Sequence, residues 1–170
     1  MLPPTSPFGS TPNEPEDDAA KLARLQRHLS ELERLARLGS WELDLVADRL
    51  TWSAQTYRIF ERDPEQFVPA YPAFLAAIHP DDRSQVDRAY RNSLRTGERY
   101  DIEHRIITPS GATKWLQESC ETEYAPDGTA LRSIGTVRDI TREKTAELAH
   151  QRIHRLYITL SETNQAVVRI

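Results

Sequence analysis

The segment Ala77 to Arg83 reads AIHPDDR: a histidine, two adjacent carboxylates and an arginine within seven residues. Three chemistries suit those residue types. An imidazole beside carboxylates is the acid/base pair of a small hydrolase, here His79 with Asp81 or Asp82. The same donors hold a metal ion when further ligands converge on them. The residues also suit a helix start. In that case Pro80 blocks helical entry upstream, Asp81 or Asp82 accepts the free amides of the first turn, and Gln85 follows Asp82 by three positions, as a capping box requires. The hydrolase needs a nucleophile or a metal that the sequence does not display. The metal site lacks an HExxH motif and a carboxylate-rich calcium loop, and His104 belongs to a different predicted strand. Capping needs no other residue, and carboxylates favour the positive end of a helix dipole. It is therefore preferred, with His79 anchoring the preceding loop; no catalytic residue and no metal ligand is assigned.

The rest of the chain must position these groups. Its 170 residues, 38% of them hydrophobic, are enough for one domain of ordinary size with attachments. A formal charge of -4 argues against a protein that coats nucleic acid, which needs a basic face to release counterions. The longest apolar run, Phe74 to Ile78, is far short of the ~18 residues that span a bilayer. Met1 to Asp18 has neither a basic nor an apolar signal region, so no membrane segment and a cytoplasmic location are expected. The single cysteine, Cys120, excludes an internal disulfide and a cysteine-based zinc site.

Residues 1–18 carry five prolines and little apolar content, which reads as a disordered leader. Over 19–38 the spacing of Leu22, Leu25, Leu29, Leu32 and Ala36 predicts an amphipathic helix with a heptad seam, stopped at Gly39 and placed to cover the sheet or to pair as a coiled coil. A second seam, Ala146, Ala149, Ile153, Leu156, Leu160, Thr163, Val167 and Ile170, runs through 142–170 to the last residue, as in a helix that continues into a further domain. Leu22, Leu25, Leu29, Leu32, Ile153, Leu156 and Leu160 are thus candidate dimer-interface residues, and a homodimer is expected. Between the helices the period changes to two. Trp41 to Leu45 and Leu50 to Trp52 form a hairpin about Ala47-Asp48; short helices lie around Tyr57 to Phe60 and Ala73 to Ile78, and a longer one over Asp82 to Thr96. Three strands follow, Tyr100 to Thr108, Thr113 to Tyr124 and Leu131 to Ile140, joined by Pro-Ser-Gly and Pro-Asp-Gly turns. Tyr100, Ile102, His104 and Ile106 share one face; Leu116, Cys120 and Tyr124 oppose Trp115.

Five marks occur in order: LGSWELDL at 38–45, LTWS at 50–53, IHPDDR at 78–83, YDIEHRI at 100–106 with PSGATKWL at 109–116, and GTVRDIT at 135–141. Together they resemble a PAS domain of the variety found in bacterial sensor kinases and cyclic-dinucleotide enzymes, over 39–141. The resemblance implies an α+β fold, a five-stranded antiparallel sheet with short helices on one face and flanking amphipathic helices. It also implies a sensor rather than a catalyst, with output through the helix after Asp-Ile-Thr to a downstream domain in cis, a kinase or cyclic-dinucleotide enzyme. The tail from Arg155 resembles the opening helix of a GAF domain.

On that resemblance Arg138, Asp139, Ile140 and Thr141 are the candidate signal-transmission residues, with Thr141 also a plausible N-cap. Trp41, Leu43, Trp52, Tyr57, Phe60, Phe74, Ile102, His104, Leu116 and Cys120 are candidates for a ligand pocket, although aromatic residues in such positions also simply fill a core. No cofactor is required by the sequence. A haem sensor would use His104 as the iron ligand. A flavin photosensor of this family uses a cysteine in an Asn-Cys-Arg type motif, which Cys120 does not match. These, and a small hydrolase using His79 and Asp81, are the alternatives to a sensory and dimerisation module.

Overall fold

The computed structural model describes residues 17–167, and side chains through residue 158. Most of the expected leader falls outside this range. Helix α1 (Asp18–Ala36) leads into β1 (Leu38–Asp44) and β2 (Arg49–Trp52), followed by α2 (Ala54–Phe60), α3 (Tyr71–Ala77), α4 (Pro80–Thr96), β3 (Tyr100–Ile107), β4 (Thr113–Tyr124), β5 (Ala130–Asp139) and α5 (Thr141–Val167). The strands form one antiparallel sheet in the order β2-β1-β5-β4-β3. This is the expected α+β architecture.

Alternation along each strand sends one set of side chains inward. Leu43, Val137, Leu116, Cys120, His104 and Ile106 are buried on that face, against Ile59 and Phe60 of α2 and Val86 and Tyr90 of α4. Full burial of an aliphatic side chain such as Val86 or Leu116 contributes about 1.5–3 kcal/mol. The register matters most at β1, where Trp41 lies opposite Trp52 on one side and Gly135 on the other. A Cβ at Gly135 would meet the Trp41 ring at 2.5 Å, so glycine there provides space for the indole.

Three local expectations are corrected. Gly39 does not stop α1: Arg37 takes the left-handed position, at φ 54°, with its N–H bonded to the last-turn carbonyls. Gly39 lies within β1, where a Cβ would stand 2.3 Å from Thr56 Oγ1, so its small size admits the start of α2. Helix α1 does not cover the sheet. Leu22, Leu25, Leu29 and Leu32 remain 52–64% exposed, and the helix is joined to the domain near its end, where buried Glu33 accepts a hydrogen bond from Ser40 Oγ. Finally, α3 and α4 start at Tyr71 and Pro80, earlier than the expected Ala73 and Asp82, with Pro72 and Pro80 inside their first turns, because a first-turn residue needs no backbone N–H partner.

Candidate functional site

The AIHPDDR segment is built differently from a carboxylate cap. His79 is the N-cap of α4, its Nδ1 accepting from Asp81 N–H at 3.3 Å. The Asp82 carboxylate instead turns to β3, where it accepts from Arg105 N and Nε at 2.9 Å each and from Nη2 at 2.6 Å. The guanidinium holds Asp82 below the usual carboxylate range. Asp82 at helix position three can reach across the sheet edge because His79 N–H bonds Arg105 C=O and Ile78 bridges Ile106. Histidine and both neighbouring carboxylates thus serve the helix–strand joint. Among the described residues, no group of three or more His, Cys, Asp or Glu could hold a metal ion. His150 and His154, one turn apart on α5, are a pair that the reading of the sequence overlooked.

A cavity of about 30 Å³ lies between the sheet and the helices. It has room for about two water-sized groups, far less than the ~300–1,000 Å³ of drug-sized ligand sites. Of the candidate pocket residues, Trp41, Leu43, Trp52, Phe60 and Phe74 line it; Tyr57, Ile102, His104, Leu116 and Cys120 belong to the surrounding core. Leu50, Thr56, Tyr71, Tyr90, Tyr100 and Glu118 complete the wall. Tyr90 is the hub of its aromatic part, with ring centroids 6.5 Å from Trp41, 5.3 Å from Tyr71 and 5.8 Å from Tyr100. Its hydroxyl donates to Ser133 Oγ at 3.0 Å.

Glu118 is one of six wall residues that sequence reasoning missed. It is 2% exposed. Burial raises its carboxyl to about 8, opposed by the neighbouring Tyr100 hydroxyl. The signal was present in the alternation of β4, which places an acid between Leu116 and Cys120 on the inward face. His104, 1% exposed, has no partner for either ring nitrogen among the described residues. Burial lowers it to about 4, with the Asp82 charge acting in the opposite direction, so the ring is neutral at physiological pH. Cys120 is raised to about 12, by burial first and the Glu118 charge second, which removes it as a thiolate nucleophile.

The second functional element is the joint between β5 and α5. Helix α5 begins at Thr141, and Ile140 C=O accepts its first bond, from Lys144 N–H. Thr141 is therefore inside the helix rather than its N-cap. Its hydroxyl donates to Asp139 Oδ1 and accepts from Trp115 N–H at 2.9 Å, while Ile140 N–H donates to Trp115 C=O at 2.8 Å. One residue of β4 thus takes both backbone ends of the joint. Asp139 Oδ1 also accepts from Thr141 N–H at 2.9 Å. On the outer sheet face Lys144 pairs with Glu103 and lies 5.9 Å from the Trp115 ring centroid, with Arg105 5.6 Å from the same ring. Trp115 is covered by α5 and Arg105, not by α1. Arg138 bonds Gln117 and pairs with Glu143, and Ile140 is buried.

A five-stranded antiparallel sheet with helices over one face, an aromatic interior and a helix anchored to the last strands defines a sensor-domain class. Comparison with known families matches residues 49–137 to the PAS fold, and the chain belongs to that family. It is 44% identical over 127 residues to an uncharacterized protein, y4lL, of Sinorhizobium fredii (72% of this chain, 14% of that protein). It is 31% identical over 125 residues to a blue-light-activated histidine kinase of Brucella ovis (74% of this chain, 24% of that protein). The chain therefore spans a quarter or less of the length of these relatives. Among solved structures, a sensory box histidine kinase/response regulator of Burkholderia thailandensis matches with TM-score 0.66 and 25% identity, over 78% of this chain and 98% of that one. The N-terminal domain of a diguanylate cyclase with a PAS/PAC sensor from Marinobacter aquaeolei shares the fold, with TM-score 0.58 and 15% identity over 63% and 98% of the two chains. No helix among the described residues is long and apolar enough to cross a membrane.

Proposed function

We propose that this PAS domain is a non-enzymatic, cytoplasmic sensory and dimerisation module whose signal leaves through α5 toward an output domain of the same polypeptide, a kinase or a cyclic-dinucleotide enzyme. The observation that carries the reading is the Thr141 hydroxyl, held between Trp115 of β4 and Asp139 of β5. A shift of β4 against β5 must move this bond or break it, and either event changes the angle at which α5 leaves. Glu118 and Trp115 lie on opposite faces of β4, three residues apart. A change in the cavity at Glu118 is thus transmitted along one strand to the anchor. Homodimerisation is supported by the exposed stripes on α1 and α5, and continuation into a GAF-like domain by the character of the tail from Arg155.

The test is Asp139→Ala and Thr141→Val in the full-length protein, with output measured in the presence and absence of signal. Loss of signal dependence with a preserved fold is expected; unchanged signal dependence in both variants rejects the reading. A haem or flavin sensor has less support, because the cavity is about 30 Å³ and His104 is not in its wall. Cofactor absorption bands in the purified protein would restore that alternative.

A further inference from the structure

The cavity wall has a chemical bias. Seven of its eleven residues are aromatic, one is the acid Glu118, and none is Lys, Arg or His. Tyr100 lies beside the Glu118 carboxyl and packs edge-on against Tyr90, which packs against Trp41 and Tyr71 in turn. Aromatic faces attract a cation through their quadrupoles, and do so most strongly where water is excluded. A buried carboxylate needs a positive partner to be stable when ionised. These preferences converge on one ligand class.

We propose that the cavity binds the head of a small organic ammonium ion, with Glu118 as its counter-ion and Tyr90, Tyr100 and Trp41 as its aromatic walls. The proposal rests on the sensor reading above and specifies what is sensed. The volume admits an ammonium or methylammonium head rather than a bulky ring system. Without the cation Glu118 keeps its proton, being raised to about 8. Binding then forms an ion pair and releases that proton to solvent, so charge balances. Glu118 interacts with Tyr100 on β3 and Cys120 on its own strand, and the other titratable groups of the cavity wall are Tyr90 on α4 and Tyr71 on α3, which donates to Asp87. Burial raises Tyr71 and Tyr100 above the ordinary phenol range, Tyr90 to about 12 and Cys120 to about 12. All four therefore stay neutral near pH 7, and Glu118 is the group whose ionisation follows binding.

The experiment is calorimetric titration of the purified chain with methylammonium chloride, using methanol as the neutral shape match and sodium chloride as the ionic control. Trp fluorescence gives a second readout, because Trp41 and Trp52 line the cavity. Saturable binding of methylammonium alone is expected, tightening about tenfold per pH unit from pH 6 toward 8 and levelling above it. Glu118→Gln, equal in shape, should weaken binding by at least about thirtyfold and flatten the pH profile. Equal binding of methanol, no saturable binding, or a flat wild-type pH profile overturns the proposal, and the last needs no variant to fold. Signal loss in Asp139→Ala without ammonium binding would reject the ligand class alone. Ammonium binding with intact signalling in both joint variants would reject the transmission reading alone.

Discussion

Two buried ionisable residues set opposite pH dependences. Glu118 is raised from 4.5 to about 8, so the folded state holds a proton that the unfolded state has lost. Its contribution is fully present below pH 4.5 and disappears as pH rises toward 8. His104 is lowered from 6.5 to about 4, so the unfolded state binds the extra proton and stability is lost as pH falls from 6.5 to 4. Between about 4.5 and 6.5 the two slopes oppose each other; above 6.5 Glu118 acts alone. Denaturant titrations should show a stability decline from pH 6.5 to 8 that approaches ~1.4 kcal/mol per pH unit, and Glu118→Gln should abolish it. His104→Leu should raise the melting temperature at pH 5, because it removes an imidazole unpartnered among the described residues, worth about 1–3 kcal/mol. It should also extend the Glu118 slope below pH 6.5; a lower melting temperature would show that His104 has a stabilising role. Asp82→Asn breaks the charge of the Arg105 pair and should cost about 1.5–3 kcal/mol at neutral pH, with a smaller loss in acid, since Arg105 holds the carboxylate ionised only above its lowered pKa.

The two flanking helices and the β5–α5 joint are held by few but specific contacts. Thr141→Val deletes the acceptor for Trp115 N–H and the bond to Asp139, so a loss of about 1–2 kcal/mol is expected, along with faster amide exchange at Trp115. Gly39→Ala forces a Cβ against Thr56 Oγ1 at 2.3 Å and its backbone nitrogen at 2.9 Å, which should displace α2 from β1 and cost about 1–3 kcal/mol in denaturant titration. The helical periodicity of α1 and the alternation of β3 to β5 were legible because each depends on neighbours along the chain. The role of Gly39 was not, because its crowding comes from Thr56, and the joint was misread for the same reason: the partner of Thr141 is Trp115 on another strand. Asp82 likewise looked like a cap until Arg105 was brought beside it.

For the whole molecule, the leucines left exposed on α1, about 28 Å long at 1.5 Å per residue, and Ile153 and Leu156 on α5 lack cover within the described chain. The proposed homodimer buries them. Light scattering should give twice the monomer mass, and Leu25→Glu with Leu29→Glu should weaken it without changing the melting of the sheet domain. A monomer in the unsubstituted chain would count against pairing. By itself the sequence determined the order and type of the elements, the inward faces of the strands and the five marks of the PAS family, because periodicity and turn chemistry are local. It also contained the inward position of Glu118, though an acid in an apolar row acquires meaning only from what surrounds it. Tertiary structure alone decided that Asp82 serves Arg105, that Thr141 is tied to β4, and that His104 lies behind the cavity while Glu118 faces into it. Each of those outcomes depends on which distant residue the sheet register and helix packing bring within a few ångströms, and no spacing along the chain encodes that distance.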